Sequence, residues 1–576
     1  MKRRDFLKKI PIAAGASLTL NSIPLRVMAE KGHFLRLAET STNDRVLIIL
    51  QMHGGNDGLN TIIPVDQYEL YYSRRANIAI PAKNSIRKYI PLDSTLATED
   101  QVGLHPDMLA AKDLYDRGRM SVVQGVSYPN NNGSHFRGRD IWHMGGGPDD
   151  YYSSGWVGRY LQKEIEPLTY PDDFPNDDCP DPLAIELGSD VSLIFHQEGN
   201  IPTSISLPGN PESFANLVDT LEGFEDKLID PRGKPPTNLD NTPYGKEINW
   251  ILGLEDKTED YAARLLEVYN AASETSVTYP EVYPFNAPSN SLRNPLSSQL
   301  QLIARLLDGG GAGQGVKTKV FLARIGGFDT HADQVESYDP TMGGHATRLY
   351  HISAAMKAFQ DDLRARGIED RVLTVTTSEF GRRIDSNGSF GTDHGTGGPM
   401  MLFGKGVNPG VFGTNQDLAN GEGNVEMQYD YRQVYANILK DWMQVDEDII
   451  ANDVFFGNFI DGPKVDGSGS YEPLPVAVSE ITSVEGFFNE RFKITNLYPN
   501  PAADSFQLSY FINSENYVVV KLYDMKGRMV KELYNKREIA GEHSLKLYTN
   551  GINPGTYIIK LESGLLKESK KLIIKE

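Results

Sequence analysis

Apolar runs of five to eight residues recur along the chain, and short polar clusters rich in Asp, Glu, His and Gly follow them. Three such pairs are Val46–Gln51 with His53–Asp57, Val320–Ile325 with Phe328–His331, and Val372–Thr377 with Ser378–Arg382. Runs rich in Val, Ile, Leu and Thr are typical of buried strands in a parallel sheet, where ligands bind at the carboxyl ends of the strands. The pattern therefore predicts that these polar clusters meet at one edge of a sheet.

Two further segments fit the same pattern. The cluster Gly391–Gly398 contains Asp393 and His394 and precedes the candidate strand Pro399–Phe403. Another candidate strand, Met120–Gln124, leads into a polar loop. Both segments are expected to contribute side chains to the predicted site.

Helical periodicity is clearest at residues 345–366, where apolar residues keep three-or-four spacing and Gly367 suits the position just after a helix end. A second helix is predicted near 296–307, and residues 209–275 are predicted to form a mostly helical insertion. Strands that alternate with helices predict an α/β domain over residues 44–461, with a doubly wound sheet and helices on both faces.

The pattern changes towards the C-terminus. Residues 462–490 are rich in Gly, Ser, Pro and acidic side chains, which predicts a linker. Within residues 494–576 the predicted strands are Phe506–Phe511, Tyr517–Tyr523, Ser544–Tyr548, Thr556–Leu561 and Lys571–Ile574. Short alternating strands separated by turns predict a small antiparallel β-sandwich.

Composition and charge narrow the possible partners. The chain is 39% hydrophobic and 23% charged, and beyond the N-terminus no apolar run is long enough to span a bilayer. The net charge is −20, although residues 1–29 carry +5 and residues 494–576 carry +3, so the body between them carries −28. A body so acidic, with no basic stripe, argues against nucleic acid as a partner. The single cysteine, Cys179, rules out an intrachain disulfide.

The N-terminus has the features of an export signal. The pair Arg3-Arg4 precedes Phe6-Leu7-Lys8 and the apolar, small-residue stretch Ile10–Leu25. This order resembles a twin-arginine signal peptide over residues 1–29, with cleavage expected after Ala29. Twin-arginine routes carry folded proteins, often with a metal or cofactor in place, so export and a metal site are compatible.

The polar clusters carry the residue types that bind metals. Carboxylate oxygen and imidazole nitrogen suit zinc, manganese or iron, and paired ions can clamp both oxygens of an in-line displacement. Asp329 and His331 are two residues apart, and glycines that permit tight turns flank Asp393 and His394. We expect one or two divalent ions, with zinc, manganese or calcium as candidates.

The loop after the strand at 120–124 supplies the candidate nucleophile. Gly133 allows close backbone approach to Ser134, whose hydroxyl can be activated by a metal or an adjacent base. Ser134 suits equally the N-cap of a helix that begins near His135, and His135 is either a ligand or a packed helix residue. Arg137 and Arg382 are candidates for holding an anionic group, and Arg382 can instead pair with a carboxylate.

Five ordered motifs carry a resemblance to a known family. They are Gly54-Gly-Asn-Asp57-Gly-Leu-Asn60, Ser134-His-Phe136, Gly326-Gly-Phe-Asp-Thr-His331, Ser378-Glu-Phe-Gly-Arg382 and Gly391-Thr-Asp-His-Gly395. Residues 44–461 resemble the bacterial family called domain of unknown function 1501, which is grouped with the alkaline phosphatase and sulfatase superfamily. The resemblance implies an alkaline-phosphatase-like sheet and a metal-dependent hydrolase.

The superfamily implies two metals, and roles for particular residues follow from the matching motifs. Asp57 would be a metal ligand and Ser134 the nucleophile, Asp329 and His331 a ligand pair, Glu379 a further ligand, and His394 the last imidazole. The chain departs from the superfamily pattern at two points: Phe380 replaces an expected histidine, and the interval between Asp329 and His331 is short. We expect His135, Asp393 or His345 to fill the gap, or one metal to be missing.

The C-terminal segment has a resemblance of its own. Tyr498-Pro-Asn-Pro501, Leu522–Arg528, Pro554-Gly-Thr-Tyr557 and the terminal Lys571–Lys575 resemble the C-terminal sorting domain of the type IX secretion system. That resemblance implies passage across an outer membrane by the type IX machinery, with release or surface attachment afterwards.

Two functions of different classes remain. The first is an exported metal-dependent hydrolase of phosphate or sulfate esters that uses a serine nucleophile. The second is a non-catalytic cell-surface or periplasmic binding protein on a degenerate scaffold, which Phe380 favours. A purely structural surface protein is disfavoured, because glycine-flanked carboxylates and histidines have no role on a passive scaffold.

Overall fold

The computed structural model describes residues 43–83, 85–188, 191–209, 261–311, 313–419, 421–479, 492–512, 516–525, 527–539, 541–563 and 566–575, besides the paired segments Thr19–Leu20 and Ile23–Pro24. The predicted signal peptide therefore lies almost wholly outside the described residues. Residues 210–260 of the predicted helical insertion and residues 480–490 of the predicted linker also lie outside the described residues.

A nine-stranded sheet forms the centre of the body. Its strands in chain order are β1 (Val46–His53), β2 (Met120–Ser127), β3 (Ala184–Leu187), β4 (Ser204–Leu207), β5 (Val320–Gly326), β6 (Val372–Thr377), β7 (Gly398–Gly404), β8 (Gly410–Phe412) and β9 (Tyr429–Asp430). Their spatial order is β4-β3-β5-β1-β6-β7-β2-β8, and β9 also pairs with β2. Long apolar segments such as β1 form the middle of the sheet because both of their faces are buried.

Strand β7 runs against its neighbours, whereas every other pairing in this sheet is parallel. It pairs antiparallel with both β6 and β2, so β2 runs in the same direction as β6 and β1. The carboxyl ends of these parallel strands therefore share one edge. The reversed strand begins at that edge, which places the residues that precede it, including His394, on the same side.

Helices cover both faces of the sheet. They are α1 (Tyr68–Arg74), α2 (Leu109–Asp116), α3 (His135–Met144), α4 (Trp156–Ile165), α5 (Pro295–Asp308), α6 (Gly344–Ala365) and α7 (Tyr431–Asn437), with a further helical segment at 261–271. One apolar core contains residues of α2, α5 and α6, and the other contains residues of α3, α4 and α7. Alternate residues of β1 divide between them: Ile48 and Leu50 face the first core, and Leu47 and Ile49 face the second.

Short elements complete the body. Helix α7 continues as a π-helix over Ile438–Trp442, and Glu447–Ile449 leads into another π-helix at Ile450–Val454. A four-residue helix spans Gly58–Thr61, and the 3₁₀ turns are Thr98–Asp100, Pro106–Met108, Leu193–Phe195, Ser289–Ser291 and Glu369–Arg371. Small antiparallel sheets join Ile62–Pro64, Val102–Leu104 and Ile90–Pro91, and also His196–Gln197 and Ile201–Pro202.

The C-terminal segment forms two antiparallel sheets around a separate apolar core. Their strands are β10 (Phe492–Tyr498), β11 (Ser505–Ile512), β12 (Asn516–Asp524), β13 (Met529–Glu538), β14 (Gly541–Tyr548), β15 (Gly555–Ser563) and β16 (Leu566–Ile574). One sheet has the order β10-β11-β14 and the other β13-β12-β15-β16. Inward residues such as Leu508, Val520 and Ile559 are fully buried, so this segment is a β-sandwich.

The predicted fold class is confirmed: an α/β sheet with helices on both faces and a C-terminal β-sandwich. The structure corrects two details. Strand Gly398–Gly404 is antiparallel, whereas we expected another strand of a parallel sheet. The start of the predicted linker packs with the body, because Tyr471, Leu474 and Val476 are buried in the second core. The domain boundaries themselves stay predictions.

Across the described residues, no helix is both long enough and apolar enough to cross a membrane.

Buried histidines make the stability of the body depend on pH. Burial lowers the pKa of His345 to about 4 and that of His143 to about 3. An unfolded histidine titrates near pH 6.5, so below that pH the unfolded chain binds protons that the folded chain excludes. We expect no contribution above pH 6.5, and about 2 kcal/mol of lost stability per histidine between pH 7.5 and pH 5.

Urea unfolding followed by tryptophan fluorescence measures this effect in the body, because none of the four tryptophans lies in residues 494–576. The matched variant is His143→Gln, which removes one titrating group whose hydrogen-bond partner is Gln51. Its stability should fall less steeply with acid than that of the wild type. Equal stability of the wild type at pH 7.5 and pH 5 would contradict the prediction.

Candidate functional site

Three ligand atoms from distant parts of the chain meet at the carboxyl edge of the central sheet. One atom each from His135, Asp329 and His394 lies within 4.8 Å of the other two. His135 is the first residue of α3, which follows β2, and Asp329 lies three residues after β5. His394 lies in the loop that joins β6 to the reversed strand β7. The sheet topology, more than proximity along the chain, therefore assembles this site.

The geometry of these atoms fits a shared cation. Nε2 of His135 lies 3.5 Å from Asp329 Oδ1, and Nε2 of His394 lies 3.8 Å from the same oxygen. Neither Nε2 has a hydrogen-bond partner among the described residues, although both are buried. Ligands about 2.1 Å from a tetrahedral metal are roughly 3.4 Å apart, so the observed spacing is close to that of a zinc-type site.

Glu379 fixes the orientation of the His135 ring. Nδ1 of His135 donates to Glu379 Oε1 at 2.8 Å, and the backbone N–H of Gly54 donates to the same oxygen at 2.9 Å. Because a carboxylate only accepts, the proton of a neutral His135 sits on Nδ1 and leaves a lone pair on Nε2. Glu379 is only 3% exposed, so it acts behind the imidazole and does not reach the cluster itself.

The backbone carbonyl of Gly133 fixes the orientation of the His394 ring. Nδ1 of His394 donates to Gly133 O at 2.6 Å, so the lone pair of the neutral ring is again on Nε2. Burial lowers the pKa of His394, and the nearby Arg382, His135 and His331 lower it further, against the opposing effect of the Gly133 bond. A neutral imidazole is the form that binds a metal.

Asp329 is the centre of the cluster. Its Oδ1 accepts from His331 Nδ1 at 2.7 Å and from Arg382 Nη2 at 2.9 Å. Burial raises the pKa of Asp329, but the bond and charge of Arg382 and the nearby histidines outweigh it, so the pKa lies below its usual value. The Asp329 side chain is 52% exposed and that of His331 47%, so the cluster opens to solvent.

Arg382 is a structural tie and not a substrate-binding residue. Its guanidinium is 1% exposed and donates to the carbonyl oxygens of Gly54, Gly55, Phe328 and Thr392 as well as to Asp329. Each of its three nitrogens already donates to the protein. The structure therefore corrects its predicted role as an anion holder and supports the alternative of a carboxylate pair.

Asp57 does not join the cluster. Arg75 Nη2 contacts both of its carboxylate oxygens at 2.9 Å, and Gln334 Nε2 donates to it at 2.6 Å. Both members of the pair are buried, at 1% and 0% exposure. Burial acts to raise the pKa of Asp57, but the charges of Arg75 and His345 and the bonds from Arg75 and Gln334 hold it below the usual value. Asp57 therefore pairs with a guanidinium, whereas the resemblance implied that it binds a metal.

Phe380 fills the space beside the imidazoles of His135 and His394. Its ring centroid lies 4.8 Å from that of His135 and 4.5 Å from that of His394, and the residue is 3% exposed. Gly55, at φ +79°, makes room for it, because a Cβ there would lie 2.3 Å from the ring. The aromatic side chain therefore supports the imidazoles where a further ligand was expected.

The other predicted residues lie at or beyond the rim. Ser134 accepts from the backbone N–H of Arg137 at 3.3 Å and caps α3, between Gly133 and His135. The Arg137 guanidinium donates to the carbonyls of Pro148 and Asp150, turned away from the cluster. Asp393 is exposed and accepts from Asn387 at 3.1 Å, so it does not reach the ligand atoms. His345 is buried against Asn56 instead of filling the gap.

Sequence reasoning missed the groups that orient the ligands. The Gly54 N–H and the Gly133 carbonyl belong to the backbone, and no side-chain pattern reveals them. Gly54 has φ +123°, and a Cβ there would lie 2.3 Å from the backbone nitrogen of Asp329. The Gly-Gly pair was the available signal for this close approach. Nothing in the sequence marked Arg75 as the partner of Asp57.

Two family models match the chain. Residues 262–453 match the model of a protein of unknown function (DUF1501), which includes Asp329, His331, Glu379 and His394 but not His135. Residues 496–575 match the secretion system C-terminal sorting domain, which indicates export to the cell surface or beyond. No curated protein matches the sequence significantly.

Solved structures give distant similarities. The PsFucS1 sulfatase from Pseudoalteromonas sp. aligns over 88% of this chain and 87% of its own, at 11% identity and a TM-score of 0.32. The alkaline phosphatase from the Antarctic bacterium TAB5 aligns over 64% and 95%, at 11% identity and 0.25. Dimeric latent PorU from Porphyromonas gingivalis aligns over 14% of this chain and 9% of its own, at 25% identity and 0.12.

Replacing one ligand should remove bound metal, whereas replacing its neighbour should not. We expect His394→Ala to lose most of the metal that copurifies with the wild type, because one of three ligands is gone. Asp393→Asn is the matched control, since Asp393 contacts Asn387 and not the cluster. Elemental analysis of the purified proteins measures both. Equal metal content in the two variants would contradict the ligand assignment.

Glu379→Gln tests the support behind His135. The amide replaces the carboxylate that fixes the His135 tautomer, and loss of such an outer partner typically lowers metal affinity by about 10- to 100-fold. Competition with a fluorescent chelator gives the affinity. Unchanged affinity, with a circular dichroism spectrum like that of the wild type, would contradict this role.

Proposed function

We propose that the protein is an exported hydrolase of phosphate or sulfate esters that depends on one divalent metal ion. The observation that carries the proposal is the pair of buried, unpartnered Nε2 atoms of His135 and His394 beside Asp329 Oδ1. Three protein ligands with a side open to solvent are typical of catalytic metal centres, whereas structural centres use four. The exposed faces of Asp329 and His331 provide that opening.

Two features support a single ion over a pair. Asp57 is already neutralised by Arg75, and the Phe380 ring fills the space next to the imidazoles. Two imidazoles and one carboxylate favour zinc or manganese, because calcium prefers oxygen ligands alone. The ligands proposed here are therefore His135, Asp329 and His394, with Glu379 as the outer partner of His135.

When bound, the metal would polarise the ester group and favour a deprotonated hydroxyl. Ser134 supplies that hydroxyl, since it lies between Gly133, which orients His394, and the ligand His135. In the neutral ring, Nδ1 of His331 donates to Asp329, which leaves Nε2 as a proton acceptor. Nε2 of His331 takes the Ser134 proton, Oγ bonds to phosphorus or sulfur, the ester bond breaks, and the proton passes to the leaving oxygen. Water then gives a proton to His331 Nε2 and attacks phosphorus or sulfur. The bond to Oγ breaks, and His331 returns the proton to Ser134.

The non-catalytic alternative is a binding protein that holds the ion without turnover. The specific observation in its favour is Ser134, whose hydroxyl already caps α3. Two assays of the purified protein distinguish these functions. The first measures metal content, and the second measures turnover of an aryl phosphate and an aryl sulfate. Both are done before and after treatment with a chelator. Less than about one equivalent of metal together with no turnover would end the hydrolase proposal.

Substitutions of Ser134 can separate capping from catalysis. Asparagine is as good an N-cap as serine but lacks the hydroxyl, whereas alanine lacks both. We expect Ser134→Asn and Ser134→Ala to lose at least about 1000-fold in turnover with unchanged metal content. Only Ser134→Ala should also lose about 1 kcal/mol of stability. Turnover in Ser134→Asn equal to that of the wild type would eliminate serine as the nucleophile.

A further inference from the structure

We propose that Arg348 is a substrate-binding residue that pairs with the negatively charged group of the ester. The inference deepens the proposed function, on which it rests, by naming the residue that selects an anionic substrate. It depends on three observations: the position of Arg348, its lack of an acidic partner, and the packing of its guanidinium on the loop that leads to Asp329.

Arg348 lies at the carboxyl edge of the central sheet. It belongs to the second turn of α6, and its Nε donates to the carbonyl of Gly326, the last residue of β5, at 3.4 Å. Gly326 is paired in register with His53 at the end of β1. Asp329 follows Gly326 by three residues, so the guanidinium lies beside the segment that carries the central carboxylate of the cluster.

The charge of Arg348 is not balanced by the protein. Its second bond runs from Nη1 to the carbonyl of Gly344 at 3.1 Å, and across the part of the chain that the structure describes it pairs with no carboxylate. Its surroundings are partly buried, and burial lowers its pKa. A desolvated guanidinium without a counter-ion gains most from an anionic ligand that supplies two oxygens.

The loop is shaped to receive this side chain. Gly327 has φ +93°, and a Cβ there would lie 2.3 Å from Arg348 Nη2. A larger residue at 327 would strain the backbone and push the guanidinium away from the segment two residues before Asp329. A Cβ placed on Gly326 would have no atom within 4 Å, so the segment has open space beside this residue.

Three other arginines of this region are already engaged. Arg382 donates to four carbonyls and Asp329, and Arg75 is paired with Asp57. Arg137 donates to two carbonyls of its own loop. Of the arginines named around the site, Arg348 alone combines partial burial with weak backbone contacts and an open neighbouring surface. We therefore assign the anion contact to Arg348.

Direct binding of inorganic phosphate and of inorganic sulfate to the full chain tests the assignment, by calorimetry on protein of measured metal content. We expect Arg348→Gln to weaken binding of the preferred anion by about 10- to 100-fold, the effect of losing a charge-assisted pair. Arg348→Lys keeps the charge but not the fork, so its binding should be intermediate. Metal content should be the same in all variants.

Arg364→Gln is the matched control, because Arg364 lies on the same helix, is 57% exposed and pairs with Asp361 at the surface. It should bind the anion as the wild type does. Wild-type protein that binds neither anion, or an Arg348→Gln variant that binds as tightly as wild type, would overturn the inference. If Arg348→Gln fails to fold, two other single variants replace it: Arg348→Lys, and Gly327→Ala, which displaces the guanidinium. Anion binding as tight as that of the wild type in both variants would overturn the inference.

Failure of this inference differs from failure of the proposed function. Ester turnover with an unchanged KM in Arg348→Gln would refute the role of Arg348 and leave the hydrolase intact. Anion binding that depends on Arg348, in a protein that turns over no ester, would support the anion site and refute the hydrolase.

Discussion

The Arg382 guanidinium is the interaction on which the site depends. Its donors join the turn after β1, through Gly54 and Gly55, to the turn after β5, through Phe328 and Asp329, and to Thr392 in the loop before β7. A buried carbonyl without a partner is costly, and Arg382 donates to four backbone carbonyls in these loops. One planar cation therefore holds three loops in register and sets the position of the central carboxylate.

Strand direction supplies the second constraint. If β7 ran parallel to β6, the chain would have to cross the sheet before β7 began, and His394 would lie at the opposite edge. The antiparallel turn-back keeps residues 378–397 at one edge, so Glu379 and His394 both lie near His135. The same loop brings Phe380 beside the imidazoles, which gives the cluster an apolar support.

Much of the fold followed from periodicity. The strands at 46–53, 320–326 and 372–377 and the helices at 295–308 and 344–365 lie within two residues of their predicted bounds, since both have strong patterns and clear ends. The sequence also named His135, Asp329 and His394. It did not show that Asp57 would be neutralised by Arg75 or that Arg382 would face inward, because those outcomes depend on which side chains tertiary packing brings together. The direction of β7 was likewise hidden, since an apolar run reads the same in either orientation.

The pair formed by Asp57 and Arg75 has a consequence for a protein that works outside the cell. A charge that belongs to the polypeptide cannot be diluted away or stripped by a competing chelator in the surroundings. That part of the sheet edge therefore keeps its shape whatever the supply of trace elements in the medium, and the proposed function asks the protein to capture only one scarce ion.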